Sequence, residues 1–136
     1  MTHHSSSLAY TDFLATTCLS QLKEGEHVLL LSGDLGSGKT AFVQGLGKAL
    51  GVAENIKSPT YALVQTYRTT HPRFSLLVHA DLYRFASVHA EDVGLDEWLT
   101  RPEVLVCIEW PEHSSTPLHG VSVIAQRKGE AHEYTF

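Results

Sequence analysis

The spacing of apolar residues predicts that the chain begins with an amphipathic helix that leads into a buried strand. Within residues 10–22, Leu14 and Cys18 are four positions apart and Leu22 follows after four more, so the three side chains share one helical face. A turn is expected to lead into residues 27–32, an apolar run typical of a strand that is buried on both faces.

A second helix and a hairpin are predicted to follow this strand. Residues 42–50 carry apolar side chains at helical spacing, and Gly51 is expected to end that helix. Pro59 cannot donate a backbone hydrogen bond to a sheet, so the next strand is expected to begin at about Thr60. A turn-rich connection leads into a strand over 74–81, and the two strands are expected to pair antiparallel.

The last third of the chain adds a helix, a central strand and a closing pair of strands. Residues 88–99 are predicted to be helical with acidic side chains on the outer face, and residues 104–109 form an apolar run that ends in an acid. Residues 121–126 and 133–136 are predicted to be strands around a turn at 128–129. This alternation favours an α/β fold, a three-layer sandwich around a mixed, mostly parallel central sheet with the antiparallel hairpin inserted.

Length and composition favour one folded domain of ordinary globular character. Of the 136 residues, 43% are hydrophobic and 18% are charged, and one domain is expected to span residues 1–136 with residues 1–7 disordered. The net charge of -5 argues against direct binding of long nucleic acid, which requires clustered Lys and Arg. The two cysteines lie in apolar sequence and are expected to be reduced. Because the sequence shows neither a long apolar run nor a secretion signal, a cytoplasmic location and no membrane partner are expected.

A glycine-rich turn between the first strand and the second helix matches the phosphate-binding P-loop. The pattern G-x-x-x-x-G-K-[ST] is met at Gly33, Gly38, Lys39 and Thr40, between a predicted strand and a predicted helix. Glycines let backbone N–H groups curl around a di- or triphosphate, Lys39 would reach the β- and γ-phosphates, and the Thr40 hydroxyl would bind the bridging Mg²⁺. The expected fold is therefore P-loop NTPase-like. The predicted nucleotide-binding residues of this loop are Gly33, Asp34, Leu35, Gly36, Ser37, Gly38, Lys39, Thr40 and Ala41.

Five residues elsewhere in the chain are candidates for contacting or cleaving the nucleotide. Thr60 lies where many P-loop proteins place a phosphate-sensing loop, although a plain Thr at a strand start is the alternative. Asp81, at a strand end, is a candidate to orient the attacking water, or else a turn former. Glu109 ends an apolar run in the Walker B pattern, which positions Mg²⁺. Trp110 would lie beside the γ-phosphate, and Thr11 would either cap the first helix or contact the base.

Four functions are compared on these residues. A GTPase would need a guanine-reading N-K-x-D sequence, which does not occur. A small-molecule P-loop kinase would need an acceptor-binding insert, and the short acidic segment 83–101 disfavours one. A non-hydrolysing nucleotide-dependent adaptor stays open, because a switch needs only binding. An ATPase that acts on a protein complex uses the P-loop, both acids and the switch-like hairpin.

Four sequence blocks together resemble the TsaE (YjeE) family, small bacterial ATPases of the tRNA threonylcarbamoyladenosine pathway. The blocks are 33–40 (GDLGSGKT), 58–64 (SPTYALV), 79–84 (HADLYR) and 108–112 (IEWPE), and the resemblance covers nearly the whole chain from about Thr11 onward. A P-loop alone occurs in many families, whereas the other three blocks in this order and in so short a chain are specific.

The resemblance implies hydrolysis of ATP, with Mg²⁺, to reset or activate a complex of two partner proteins. Those partners are TsaB- and TsaD-type subunits, which attach threonylcarbamoyl to adenosine 37 of tRNA, so the tRNA would be reached only through them. The resemblance also implies site roles by position: Lys39 as the phosphate-binding lysine, Thr40 and Glu109 as Mg²⁺ ligands, Asp81 as the acid of hydrolysis, Trp110 as the aromatic beside it, Thr11 near the adenine and Thr60 in the switch-like loop.

One position departs from the family pattern. Members commonly carry an Arg near the C-terminal strand, where the nearest match here is His132. A neutral imidazole cannot replace a permanently charged guanidinium, so the resemblance leaves open whether this end of the chain contacts the nucleotide.

Overall fold

Strand pairing places four parallel strands at the centre of the sheet. The computed structural model describes residues 1–57 and 63–136, and within them seven strands form one sheet. The elements in chain order are β1 (Thr2–Ser5), α1 (Leu8–Gln21), β2 (Val28–Ser32), α2 (Lys39–Leu50), β3 (Val64–Arg68), β4 (Leu76–Asp81), α3 (Asp96–Leu99), β5 (Val104–Glu109), β6 (Val121–Lys128) and β7 (Ala131–Thr135). Their order across the sheet is β1-β7-β6-β2-β5-β4-β3. The central β6, β2, β5 and β4 are parallel, and the outer pairs are antiparallel.

Two apolar cores lie on opposite faces of this sheet, which makes the fold a three-layer α/β sandwich as predicted. Every residue of β5 is buried, and its side chains alternate between the cores. Leu105 and Cys107 join the core under α1 and α2, whereas Val106 and Ile108 join the core under the segment between β4 and β5. A central parallel strand needs apolar side chains on both faces, which explains the continuous apolar run of the sequence.

Helices α1 and α2 lie against each other on one face. An ideal Cβ built on Gly45 would lie 2.9 Å from the Ala15 Cβ and 3.0 Å from the Asp12 Cα, so only a glycine permits this close approach. Both cysteines, Cys18 and Cys107, are buried and free, in agreement with the expectation of reduced thiols. No helix among the described residues has the length and apolar character that crossing a bilayer requires.

The first residues of the chain are ordered, so the prediction of disorder over residues 1–7 is wrong. Strand β1 pairs antiparallel with β7, with Thr2 opposite Thr135 and Ser5 opposite His132. Backbone pairing with an edge strand does not depend on apolar side chains, so the polar sequence of this segment gave no sign of it. The Ser7 side chain, which accepts a hydrogen bond from the Tyr10 N–H, then caps α1.

The predicted helix over residues 88–99 is divided into two short pieces, which corrects that prediction. A 3₁₀ turn at Ala90–Val93 ends at Gly94, whose φ of 76° is left-handed, and α3 follows. Ala90 and Leu95 are both fully buried although five positions apart, and a continuous helix would point them about 140° apart. The break at Gly94 lets both side chains enter the core that contains Val106 and Ile108, which we call the second core.

The remaining predicted strands are present with shifted bounds. β3 and β4 form the predicted antiparallel hairpin, and β6 and β7 form the closing pair on either side of Gly129. The hairpin strand begins at Val64 in the described residues, and Thr60, where it was expected to begin, lies outside them.

Replacing Gly45 with Val is expected to destabilise the protein, because the added side chain must separate α1 from α2. Overpacking of this kind lowers the free energy of unfolding by about 1–3 kcal/mol, which urea denaturation measures. Ala9→Val serves as the control, since it adds a similar side chain at an exposed position of α1. Equal stability of the two variants would contradict the close packing of the helices at Gly45.

Candidate active site

A cleft of ≈ 350 Å³ opens where β2, β4 and β5 end. Parallel pairing sets Asp81 opposite Glu109 and Glu109 opposite Leu31, so the two acids emerge beside the loop that follows β2. We call residues 33–40 the glycine-rich loop. The residues that line the cleft are Leu35, Gly36, Ser37, Gly38, Lys39, Thr40, Ala41, Asp81, Tyr83, Glu109 and Trp110. All of them except Tyr83 are candidates from the sequence.

Strand β7 supports the glycine-rich loop from behind. The Tyr134 hydroxyl donates a 2.9 Å hydrogen bond to the Gly38 carbonyl oxygen, and His132 Nδ1–H donates one of 2.9 Å to the Ser37 carbonyl oxygen. His132 therefore contacts the loop backbone and is not part of the cleft lining described above. Sequence reasoning missed Tyr134, because its role depends on a pairing between distant strands.

Two glycines of the loop differ in how much space surrounds them. Gly38 has a left-handed φ of 107°, and a Cβ there would lie 3.0 Å from His132 Nδ1 and closer still to the Tyr134 hydroxyl. A Cβ on Gly36 would meet nothing within 4 Å. Contact with β7 therefore excludes a side chain at Gly38, in addition to any need for a phosphate to approach the backbone.

Lys39 is enclosed by the loop that precedes it. Its ammonium group donates hydrogen bonds to the Gly33 carbonyl oxygen and, at 3.0 Å, to that of Asp34, and it lies 4.3 Å from the centre of the Trp110 ring. Burial lowers the pKa of Lys39, while the charge of Glu109 and, more weakly, of three further acids opposes that shift. The ammonium group is thus held at the cleft by groups that a bound anion could replace.

Trp110 has an unusual backbone conformation. Its φ of 58° makes it the one non-glycine with positive φ among residues 1–57 and 63–136, a conformation that costs about 1–3 kcal/mol. The ring packs between Tyr83, at 5.1 Å between ring centres, and His113, at 5.3 Å. The strained backbone directs the indole over Lys39 immediately after the acid that ends β5.

The two acids of the cleft have different surroundings. Glu109 is buried and accepts hydrogen bonds from the Thr40 hydroxyl and from His79, a residue that the sequence analysis did not single out for a role. Asp81 is half-buried and accepts a 2.9 Å hydrogen bond from the Tyr83 N–H. Burial raises the pKa of Asp81 and the charge of Glu109 adds to the rise, against the Tyr83 N–H and the charges of His79 and Lys39. A raised pKa makes Asp81 the stronger base.

The oxygen atoms of this site fit magnesium. Mg²⁺ prefers oxygen ligands and usually takes one or two from the protein, with the others from phosphate and water. The Thr40 hydroxyl lies 3.3 and 3.2 Å from the two carboxylate oxygens of Glu109, so the two groups lie side by side as oxygen ligands for a metal ion. The described residues hold no group of three His, Cys, Asp or Glu side chains that could bind a metal.

Thr11 and Thr60 are not placed in the cleft. Thr11 is buried near β7, and its hydroxyl lies 2.7 Å from Ser5 Oγ. Burial raises the pKa of Tyr134, and the hydrogen bond between Tyr134 and Thr11 opposes that rise. Because Ser7 caps α1, the capping role considered for Thr11 is wrong. Thr60 lies outside the described residues.

A second cavity adjoins the cleft at Ala41. It has a volume of ≈ 430 Å³ and lies between the beginning of α1, the outer side of α2 and residues 52–57. Leu8, three positions before Thr11 on α1, and Asp12, directly after it, contribute to its wall. A long ligand could therefore pass from the cleft over Ala41 into this cavity.

Comparisons with known proteins agree on one family. The family model described as threonylcarbamoyl adenosine biosynthesis protein TsaE matches residues 5–133. A crystal structure of YdiB from Bacillus subtilis superimposes with a TM-score of 0.72 at 26% identity, and covers 98% of this chain and 82% of that one.

Several relatives are named tRNA threonylcarbamoyladenosine biosynthesis protein TsaE. The relative from Bacillus subtilis is 33% identical over 129 residues, 93% of this chain and 78% of its own length. The relative from Treponema pallidum is 41% identical over 103 residues, 75% of this chain and 73% of its own length. Against the relatives from Synechocystis and Nostoc, the match spans about half of their lengths, 54% and 52%.

Tyr134→Phe is expected to weaken binding of a nucleoside diphosphate without unfolding the protein. The variant keeps the buried ring and loses the hydroxyl, with its hydrogen bond to Gly38 and its contact with Thr11, and loss of the support for the loop corresponds to about a threefold to tenfold loss of affinity. Calorimetric titration with ADP measures the affinity. The control is Tyr10→Phe, which makes the same change in an exposed side chain of α1. Wild-type affinity in Tyr134→Phe would show that β7 does not shape the loop.

Proposed function

The chain belongs to the TsaE family, and from this premise we propose that it binds MgATP and hydrolyses it to ADP and phosphate in the biosynthesis of tRNA threonylcarbamoyladenosine. The observation that carries the proposal is the convergence of Lys39, Thr40, Glu109 and Asp81 in one cleft at the ends of parallel strands. Ligand sites of open α/β sheets lie at that edge.

Each of these residues has a separate task in the proposed reaction. Lys39 exchanges the loop carbonyls for phosphate oxygens and compensates the charge of the β- and γ-phosphates. Thr40 and Glu109 hold Mg²⁺, which when bound neutralises charge on the phosphates. Asp81 orients the attacking water and accepts its proton, a task to which its raised pKa is suited.

The second cavity is suited to the nucleoside. It meets the cleft at Ala41, so a triphosphate lying along the glycine-rich loop directs its sugar and base there. The wall of this cavity comes from α1 beside Thr11, which supports a base site in that region. Thr11 itself is buried, and its proposed contribution is to hold α1 against Ser5 of β1 and Tyr134 of β7.

The proposed partners are a two-protein threonylcarbamoyl-transfer complex of TsaB and TsaD type, through which the protein acts on tRNA in the cytoplasm. The rim of the cleft supports contact with a protein, because Leu35 is 67% exposed and Tyr83 48% exposed beside Trp110. A partner that covers this rim would exclude water from the phosphates and could make hydrolysis depend on assembly.

Lys39→Ala is expected to lower the affinity for MgATP about a hundredfold, because it removes a charged donor from the phosphate site. Calorimetric titration with MgATP measures the loss. Lys23→Ala, which removes an exposed lysine far from the cleft, serves as the control and should bind as the wild type does. Equal binding by Lys39→Ala and the wild type would contradict the proposed nucleotide site.

Asp81→Asn is expected to bind MgATP normally and to lose hydrolysis about a hundredfold or more, since the amide can accept the Tyr83 hydrogen bond but not a proton. The measurement is multi-turnover threonylcarbamoylation of tRNA with the purified partner proteins, followed together with phosphate release. Glu91→Gln, an exposed acid of the 3₁₀ turn, makes the same change of charge away from the cleft.

Three outcomes of this assay distinguish the candidate functions. Failure of Asp81→Asn to sustain turnover supports the ATPase. Full turnover by Asp81→Asn without phosphate release would instead support a nucleotide-dependent adaptor. If the wild-type chain has no effect on threonylcarbamoylation, the proposed pathway is wrong even if the nucleotide site stands.

A further inference from the structure

His79 is a fully buried polar residue directly behind the cleft. It lies on β4 two positions before Asp81, opposite Cys107 of β5. Its Nε2 atom is 2.5 Å from Glu109 Oε2, and the exposed fractions of the two side chains are 0% and 4%. Such a contact between buried groups is shielded from water, so it acts more strongly than a surface ion pair.

Glu109 is the one hydrogen-bond partner of the His79 ring among residues 1–57 and 63–136. A carboxylate oxygen accepts hydrogen bonds, so the hydrogen between the two groups belongs to Nε2. The other ring nitrogen, Nδ1, is buried without a partner in the described residues. A buried polar atom without a partner costs stability, and an apolar residue would fill this position in a core without that cost. The contact with Glu109 therefore accounts for a histidine here.

The distances show which neighbour fixes the Glu109 carboxylate. The contact with His79 is 2.5 Å long, whereas the Thr40 hydroxyl is 3.2 and 3.3 Å from the carboxylate oxygens. Hydrogen bonds to a charged oxygen are strongest when short, and the two Thr40 contacts lie beyond the usual length for a hydroxyl donor. His79 thus determines the orientation of Glu109, and Thr40 is held only weakly.

We propose that His79 is the positioning residue that orients Glu109 for the magnesium ion of the nucleotide complex. This inference rests on the proposed function, in which Glu109 and Thr40 hold that ion. His79 does not reach the cleft itself and acts only through Glu109. Residues that hold a metal ligand in place typically contribute tenfold to a hundredfold to metal affinity.

The test compares two replacements of His79 that differ in one donor. His79→Leu removes the hydrogen bond and fills the apolar surroundings, whereas His79→Gln keeps an N–H donor near the position of Nε2. Calorimetry with ADP, in the presence of Mg²⁺ and in EDTA, gives the ADP affinity in each solution and the apparent Mg²⁺ affinity. We expect His79→Leu to lower the apparent Mg²⁺ affinity tenfold to hundredfold while ADP affinity in EDTA stays that of the wild type. His79→Gln should retain most of the Mg²⁺ affinity.

A double-mutant cycle tests whether His79 acts through Glu109. In a Glu109→Gln background, His79→Leu should change the apparent Mg²⁺ affinity no further, because the group that it positions has been removed. An additional loss in the double variant would contradict the inference. An equal loss of ADP affinity in Mg²⁺ and in EDTA would also contradict it, since that result indicates a general loosening of the cleft.

Two further results keep this inference separate from the proposed function. If the wild type binds no ADP in either solution, the proposed function is wrong. If the wild type responds to Mg²⁺ and His79→Leu responds equally, only the role of His79 is wrong. Thermal unfolding monitors folding of each variant, and His79→Asn replaces His79→Leu if the latter does not fold, because its shorter side chain also leaves Glu109 without the donor.

Discussion

The parallel register of β2, β5 and β4 is the constraint on which the cleft depends. Because β2 and β4 both pair in parallel with β5, all three strands end at the same edge of the sheet. Asp81 at the end of β4 and Glu109 at the end of β5 therefore lie beside the glycine-rich loop that follows β2. A slip of one residue between β4 and β5 would turn the side chains of β4 to the other face of the sheet. The two apolar cores oppose that slip, since it would exchange the side chains packed in them, Leu77 in one core and Val78 and Ala80 in the other.

Around this edge, the cleft is built from backbone and buried side chains more than from surface charges. Lys39 is held by two carbonyl oxygens and the face of an indole, and Glu109 is held from within the sheet. The loop itself is fixed at Ser37 and Gly38 by two side chains of β7. Glu109 and the backbone of the loop, held in this way, change position little when charge develops beside them, which is the condition for electrostatic stabilisation of a transition state.

The sequence was sufficient to predict the features that depend on local pattern. The glycine-rich loop, the helix after it and the two acids at strand ends follow from motif and periodicity, and Lys39, Thr40, Asp81, Glu109 and Trp110 all line the cleft. Features that depend on pairing between distant segments could not be predicted. Strand β1 is polar, so only its partner β7 reveals it, and the break at Gly94 depends on the need to bury both Ala90 and Leu95.

The same distinction applies within the site. His79 stands in a run of apolar residues, where a single histidine has no meaning until β5 is placed beside it. Tyr134 and His132 likewise gain their role only when β7 is placed behind the glycine-rich loop. Two signals for His79 were available in the sequence. It begins the block 79–84, and it lies two positions before Asp81 on a strand, so the two side chains share a face.

Because the Lys39 ammonium group lies over the Trp110 ring, the fluorescence of Trp110 can report on changes at the cleft. The chain has two tryptophans, and Trp98 packs against the second core with Arg101 near its ring, away from the cleft lining. An anion that draws the ammonium group off the indole removes a positive charge from 4.3 Å above the ring centre, and such a change alters the emission of an indole. Occupation of the proposed phosphate site can therefore be followed by intrinsic fluorescence in the unlabelled chain, against the emission of Trp98.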